Sequence, residues 1–95
     1  MELGMEEWML EASEIMERAR NLSKEEKIAF KYFMECISVG DIRAFSDLLR
    51  KGIKRPEEVV SSLLDKRLIE RGFNCFNIPY PLRIYILRKG VPNLD

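Results

Sequence analysis

The run DIRAFSDLLRKGIKRPEEVVSSLLDKRLIER, residues 41–71, is the stretch on which the fold turns. Asp41 is a good N-cap, because its carboxylate can accept from the free N–H groups of a first helical turn. Ile42, Phe45, Leu48 and Leu49 then make one apolar stripe, expected to be buried. Gly52 falls where a left-handed residue closes a helix. A short turn, Ile53-Lys54-Arg55, leads to Pro56, which suits a first helical position because its missing N–H is not needed there. Glu57 and Glu58 complement the dipole of that first turn. Val59, Val60, Leu63 and Leu64 supply the inner face of a second helix that gives way near Lys66-Arg67. The stretch therefore reads as two short helices joined by a tight glycine-containing turn.

Upstream, Ser23 and Glu26 have the spacing of a capping box. They open a strongly apolar helix in which Ala29, Phe30, Phe33, Cys36 and Ile37 share a face. It ends near Ser38-Val39-Gly40. Further upstream, Met5, Trp8, Ala12, Ile15, Ala19 and Leu22 follow a 3-4-3-4-3 spacing, widened by Met9 and Met16. This amphipathic stripe must bury either on its own domain or against a second copy. Downstream, Leu82, Ile84 and Ile86 alternate with Arg83 and Tyr85, the period of a strand. Pro79 and Pro81 place a bend before it. Residues 91–95 read as a loose tail.

Ninety-five residues make one small domain. Sixteen basic and sixteen acidic side chains cancel, so net charge steers nothing, and only uneven placement can attract a polyanion. Placement is uneven: residues 1–35 carry nine acids and five bases, and residues 36–95 carry seven acids and eleven bases. With no histidine, the commonest general base and metal ligand is missing. No glycine-rich phosphate loop, nucleophile elbow or metal-ligand cluster is present. No catalytic residue, metal or cofactor is therefore assigned, and the chain is expected not to be an enzyme. Cys36 and Cys75 form no C-x-x-C pair and read as two small buried hydrophobes, with a disulfide as the alternative. Six glutamates precede the first basic residue, Arg18, which does not fit a secretory signal. No stretch approaches the apolar length of a membrane span, so a cytoplasmic protein is expected.

Taken together, the apolar helix Lys27–Ile37, the helix opened by Asp41-Ile42-Arg43-Ala44, the turn Gly52-Ile53-Lys54-Arg55 and the run from Val60 to Arg71 resemble a winged helix-turn-helix domain. Where that family usually carries glycine, just before the Leu68-Ile69 pair, this chain has Arg67. The resemblance implies a mainly α fold with a small β-hairpin over residues 23–90, preceded by an amphipathic helix over residues 1–22. It also implies double-stranded DNA binding, most often in transcription regulation. On that reading Lys51, Lys54 and Arg55 hold phosphates at the turn, with Lys66 close by. Glu58, Ser61 and Ser62 approach bases, and Arg71, Arg83 and Arg88 act from the wing. A homodimer would form through Met5, Trp8, Met9, Ala12, Ile15 and Met16. The same fold also serves as a protein-interaction module in replication and transcription assemblies. Zero net charge and the acidic outer face of the second helix, with Glu57, Glu58 and Asp65, suit that alternative, in which the chain is an accessory subunit with a protein partner.

Overall fold

A computed structural model describes residues 5–94. Its elements run α1 Met5–Ala19, α2 Lys24–Cys36, β1 Ser38–Gly40, α3 Asp41–Arg50, α4 Pro56–Asp65, β2 Glu70–Gly72, β3 Cys75–Asn77 and α5 Tyr80–Lys89. The strands form one antiparallel sheet in the order β1-β3-β2, with Phe76 of β3 opposite both Val39 and Arg71. The fold is thus mainly helical with a small antiparallel sheet that includes a hairpin, β2–β3.

Local sequence accounts for most boundaries. Ser23 and Glu26 form the capping box: the Glu26 N–H donates to Ser23 Oγ at 3.2 Å and the Ser23 N–H donates to Glu26 Oε1 at 2.9 Å. At α3 the cap position is Gly40, and Asp41 is the first helical residue, its carboxylate accepting from the Ile42 N–H at 2.7 Å. Gly52, at φ +94°, reverses the chain, and the Ile53 N–H returns to the Leu48 carbonyl at 3.1 Å. Pro56 begins α4 as expected. Arg67 takes the left-handed φ of +59° that glycine would adopt more cheaply, while the Leu68 N–H closes onto the Leu63 carbonyl at 3.0 Å.

The core lies between α2, α3, α4 and the inner face of the sheet. Phe30, Phe33, Met34, Leu48, Leu63, Leu68, Phe76 and Leu82 are completely buried. Phe76 is its hub: its ring meets Phe33 and Phe45 edge-on, both at 5.7 Å between centroids. Such pairs contribute about 0.5–1.5 kcal/mol each beyond their burial.

Three expectations are corrected. Residues 82–87 are helix, not strand: α5 begins at Tyr80 with Pro81 in its first turn, and it buries Leu82 and Ile86, four residues apart. Proline at a helix start costs nothing, and one helical face explains both burials. The sheet also gains β1, where a helix end was expected. Cys36 is exposed and Cys75 half-buried, both as free thiols, so neither is a buried hydrophobe.

The amphipathic stripe of α1 is buried within its own chain, because α1 packs along α5. Trp8, Ala12, Ile15, Ala19 and Leu22 are all less than 7% exposed. The Trp8 ring meets Tyr85 edge-on at 6.3 Å, and the Arg88 guanidinium lies 5.6 Å from its centre. Trp8, Ala12 and Ile15 are therefore covered without a second copy. Met16 is half-buried, Met9 is exposed, and the side chain of Met5 lies outside the described residues. Leu94 packs against the core, so residues 91–94 are not wholly loose, and Asp95 lies outside the described residues.

Candidate functional site

The turn between α3 and α4 exposes Lys51, Lys54 and Arg55 together. The Arg55 guanidinium reaches Glu58 at 3.4 Å, and the Lys51 ammonium sits 5.7 Å from the centre of the Tyr32 ring. Beyond the turn, the outer face of α4 presents Glu57, Glu58, Ser61 and Asp65 to solvent. This corner mixes both signs of charge.

Ser62 and Lys66 point elsewhere. The Ser62 hydroxyl donates to Glu26 Oε2 at 2.5 Å and the Lys66 ammonium donates to the same oxygen at 2.6 Å. Burial alone would raise the Glu26 pKa. Its bonds to Lys66, Ser62 and Ser23 outweigh burial and hold it at about 2. The network extends to α1, whose Arg18 donates to the Lys66 and Arg67 carbonyls at 3.2 and 3.1 Å. A cation on these carbonyls also suits the negative end of α4. Ser62 and Lys66 thus join α4 to α2 through Glu26.

The remaining basic positions are dispersed. Arg71, on β2, stacks 5.1 Å from the centre of the Phe76 ring. Arg83 and Arg88, expected on a wing strand, lie on α5, with Arg83 half-buried and Arg88 over Trp8. Lys51 follows the last residue of α3. The tip of the hairpin sits at the opposite end, where the Asp41 N–H donates to the Asn74 carbonyl at 3.0 Å. The ten residues of α3 hold these two places about 15 Å apart. The turn and the hairpin tip thus lie at opposite ends of α3.

What the sequence reading missed is apolar. The buried side of α3 is Ala44 and Leu48, with Phe45 half-buried. Ile42 and Leu49, expected inward, are 82% and 55% exposed. Seven residues apart, they lie on one outer face of α3. Phe73, in the hairpin turn, is 94% exposed, and the Asn74–Asp41 bond places that turn beside the start of α3. The result is an apolar ridge from Phe73 across Ile42 to Leu49. Arg43 and Arg50 stand along α3, and both reach Asp47, at 3.7 and 3.5 Å. Asp47 also accepts the Tyr32 hydroxyl at 2.5 Å. Burial and that bond hold the Tyr32 phenol well above its ordinary pKa. A second exposed apolar group, Leu10, Tyr80, Leu87 and Val91, lies on α1, α5 and the following tail. Among the described residues, no helix is long and apolar enough to cross a membrane.

Residues 23–84 match a protein-family model described as PolB1 Binding Protein 2, which takes in α2 through the first half of α5. That span is well over half of the chain, so the chain belongs to this family. Comparison with curated proteins returns no match.

Proposed function

We propose that this member of the PolB1 Binding Protein 2 family is a non-enzymatic accessory subunit whose partner is DNA polymerase B1, and that it acts by protein–protein contact. The observation that carries this reading is the family match over residues 23–84. We read residues 23–77 as a winged helix-turn-helix core used for protein contact, a reading supported by the order helix, strand, helix, helix, strand, strand and by the sheet order β1-β3-β2.

Two features favour this reading over that of a transcription regulator. The basic residues that a wing grip needs are distributed over the turn, the hairpin and α5. The outer face of α4, which would enter a major groove, carries Glu57, Glu58 and Asp65. Large apolar side chains stand exposed on α3 and at the hairpin tip, as a protein contact needs.

The test is size-exclusion chromatography with light scattering on nuclease-treated mixtures with purified PolB1. Co-elution at a fixed stoichiometry supports the proposal. Separate elution at about ten micromolar of each protein, together with tight duplex binding by the chain alone, would select the regulator instead.

A further inference from the structure

We propose that the ridge formed by Phe73, Ile42 and Leu49 is the face that docks on the polymerase, seated in an apolar groove bordered by carboxylates. The proposal rests on the accessory-subunit reading and names the surface that serves it.

Three observations select this face and this occupant. First, the ridge lies wholly within the span that matches the polymerase-binding family and holds the two most exposed large apolar side chains of that span, Phe73 and Ile42. Leu10, Leu87 and Val91 of the second exposed apolar group lie outside it. Second, the ridge is held in shape before any partner arrives. Ile42 and Leu49 stand on a helix, and the Asp41–Asn74 bond ties the Phe73 turn to the start of that helix at 3.0 Å. A rigid anchor loses little conformational freedom on binding. Third, the most exposed charges on α3 are both positive. The side chains of Arg43 and Arg50 are 81% and 76% exposed, and both lean on Asp47, which also accepts from Tyr32. The two carboxylates of α3, Asp41 and Asp47, are half-buried and hydrogen-bonded, so the charge this helix turns outward, towards acidic groups across an interface, is that of the arginines. Phe73 and Ile42 at the centre with arginines at the border is the layout of an apolar hot spot within a polar rim.

The experiment titrates labelled wild-type chain and the variants Ile42→Ser, Phe73→Ser and Leu87→Ser with purified, nuclease-treated PolB1, reading polarization. All three positions are exposed, and thermal melts check that each variant stays folded. Wild-type binding, with Ile42→Ser and Phe73→Ser each weaker by about 30-fold and Leu87→Ser unchanged, supports the proposal. Wild-type binding with both ridge variants within threefold of it overturns the proposal and leaves the accessory reading standing. Loss confined to Leu87→Ser also overturns it and moves the contact to α5. Binding that appears only when duplex DNA is added back overturns it in favour of a DNA-bridged association. Absence of any wild-type binding, with or without DNA, overturns the accessory reading and this proposal with it.

Discussion

Replacing Glu26 by alanine removes three bonds at once, and their sum can be worked from the structure. The carboxylate accepts from the Ser23 N–H at 2.9 Å, from the Ser62 hydroxyl at 2.5 Å and from the Lys66 ammonium at 2.6 Å. Bonds to a charged group contribute about 1.5–3 kcal/mol when well buried. Here the Glu26 side chain is 13% exposed and that of Lys66 43%. Solvent screens the ion pair, which is taken as about 0.5–1 kcal/mol. The capping bond and the Ser62 bond are taken as about 1 kcal/mol each. Together they come to about 3 kcal/mol, a substantial share of the roughly 5–15 kcal/mol that holds a domain folded. At about 4–8 °C per kcal/mol for a chain of this size, the melting temperature falls by about 12–24 °C.

The pH dependence of this contribution follows from its sign. The Glu26 pKa is lowered from an ordinary 4.5 to about 2 in the folded chain, so its stabilisation is fully present above pH 4.5. That stabilisation is lost as pH falls towards 2. The assay is urea unfolding at pH 7, 4 and 2, followed by fluorescence of the single tryptophan, Trp8 of α1, which is buried against α5. A wild-type advantage under 0.5 kcal/mol at pH 7, or one unchanged at pH 2, would refute the reasoning.

Other substitutions test other parts of the account. Trp8→Ala should cost about 3–5 kcal/mol in urea unfolding followed by far-UV circular dichroism, since it empties the contact with Tyr85 and Arg88 that seats α1. Light scattering should give the same monomeric mass before and after, because that stripe is covered by α5. Arg67→Gly should raise the melting midpoint, with a gain of up to about 1 kcal/mol, since it relieves a left-handed residue and leaves the carbonyl that Arg18 holds. The paired charge reversal Lys54→Glu with Arg55→Glu should change stability by less than about 0.5 kcal/mol in thermal melts, because both side chains are exposed.

Most signals carried by neighbouring residues are legible along this chain, the exception being the α3 cap, which falls on Gly40 and not Asp41. The Ser23–Glu26 box, Gly52 and Pro56 each act through backbone groups within a few residues, and each stands where its spacing places it. The α5 segment carries the local pattern of a strand, because Ile84 and Ile86 favour strands and alternate with Arg83 and Tyr85 over a short run. The better clue was the Leu82–Ile86 interval of four behind a proline. β1 is three residues long and exists only because β3 lies beside it, which no local pattern encodes. The α1 stripe was legible as a surface to be covered. Its cover, α5, had been read as a strand. The site was harder to read. An apolar residue on a helix looks inward by default, so Ile42 and Leu49 were counted into the core. Only the packing of α3 through Ala44 and Leu48 turns them out. The dispersal of the basic residues likewise follows from α5, a long-range feature.

Amide hydrogen exchange of the chain, alone and saturated with PolB1, tests the central claim most directly. The account predicts slowed exchange in residues 41–50 and 70–77, with residues 7–19 and 82–89 unchanged. Slowing confined to residues 7–19 and 82–89, or none anywhere, would contradict it.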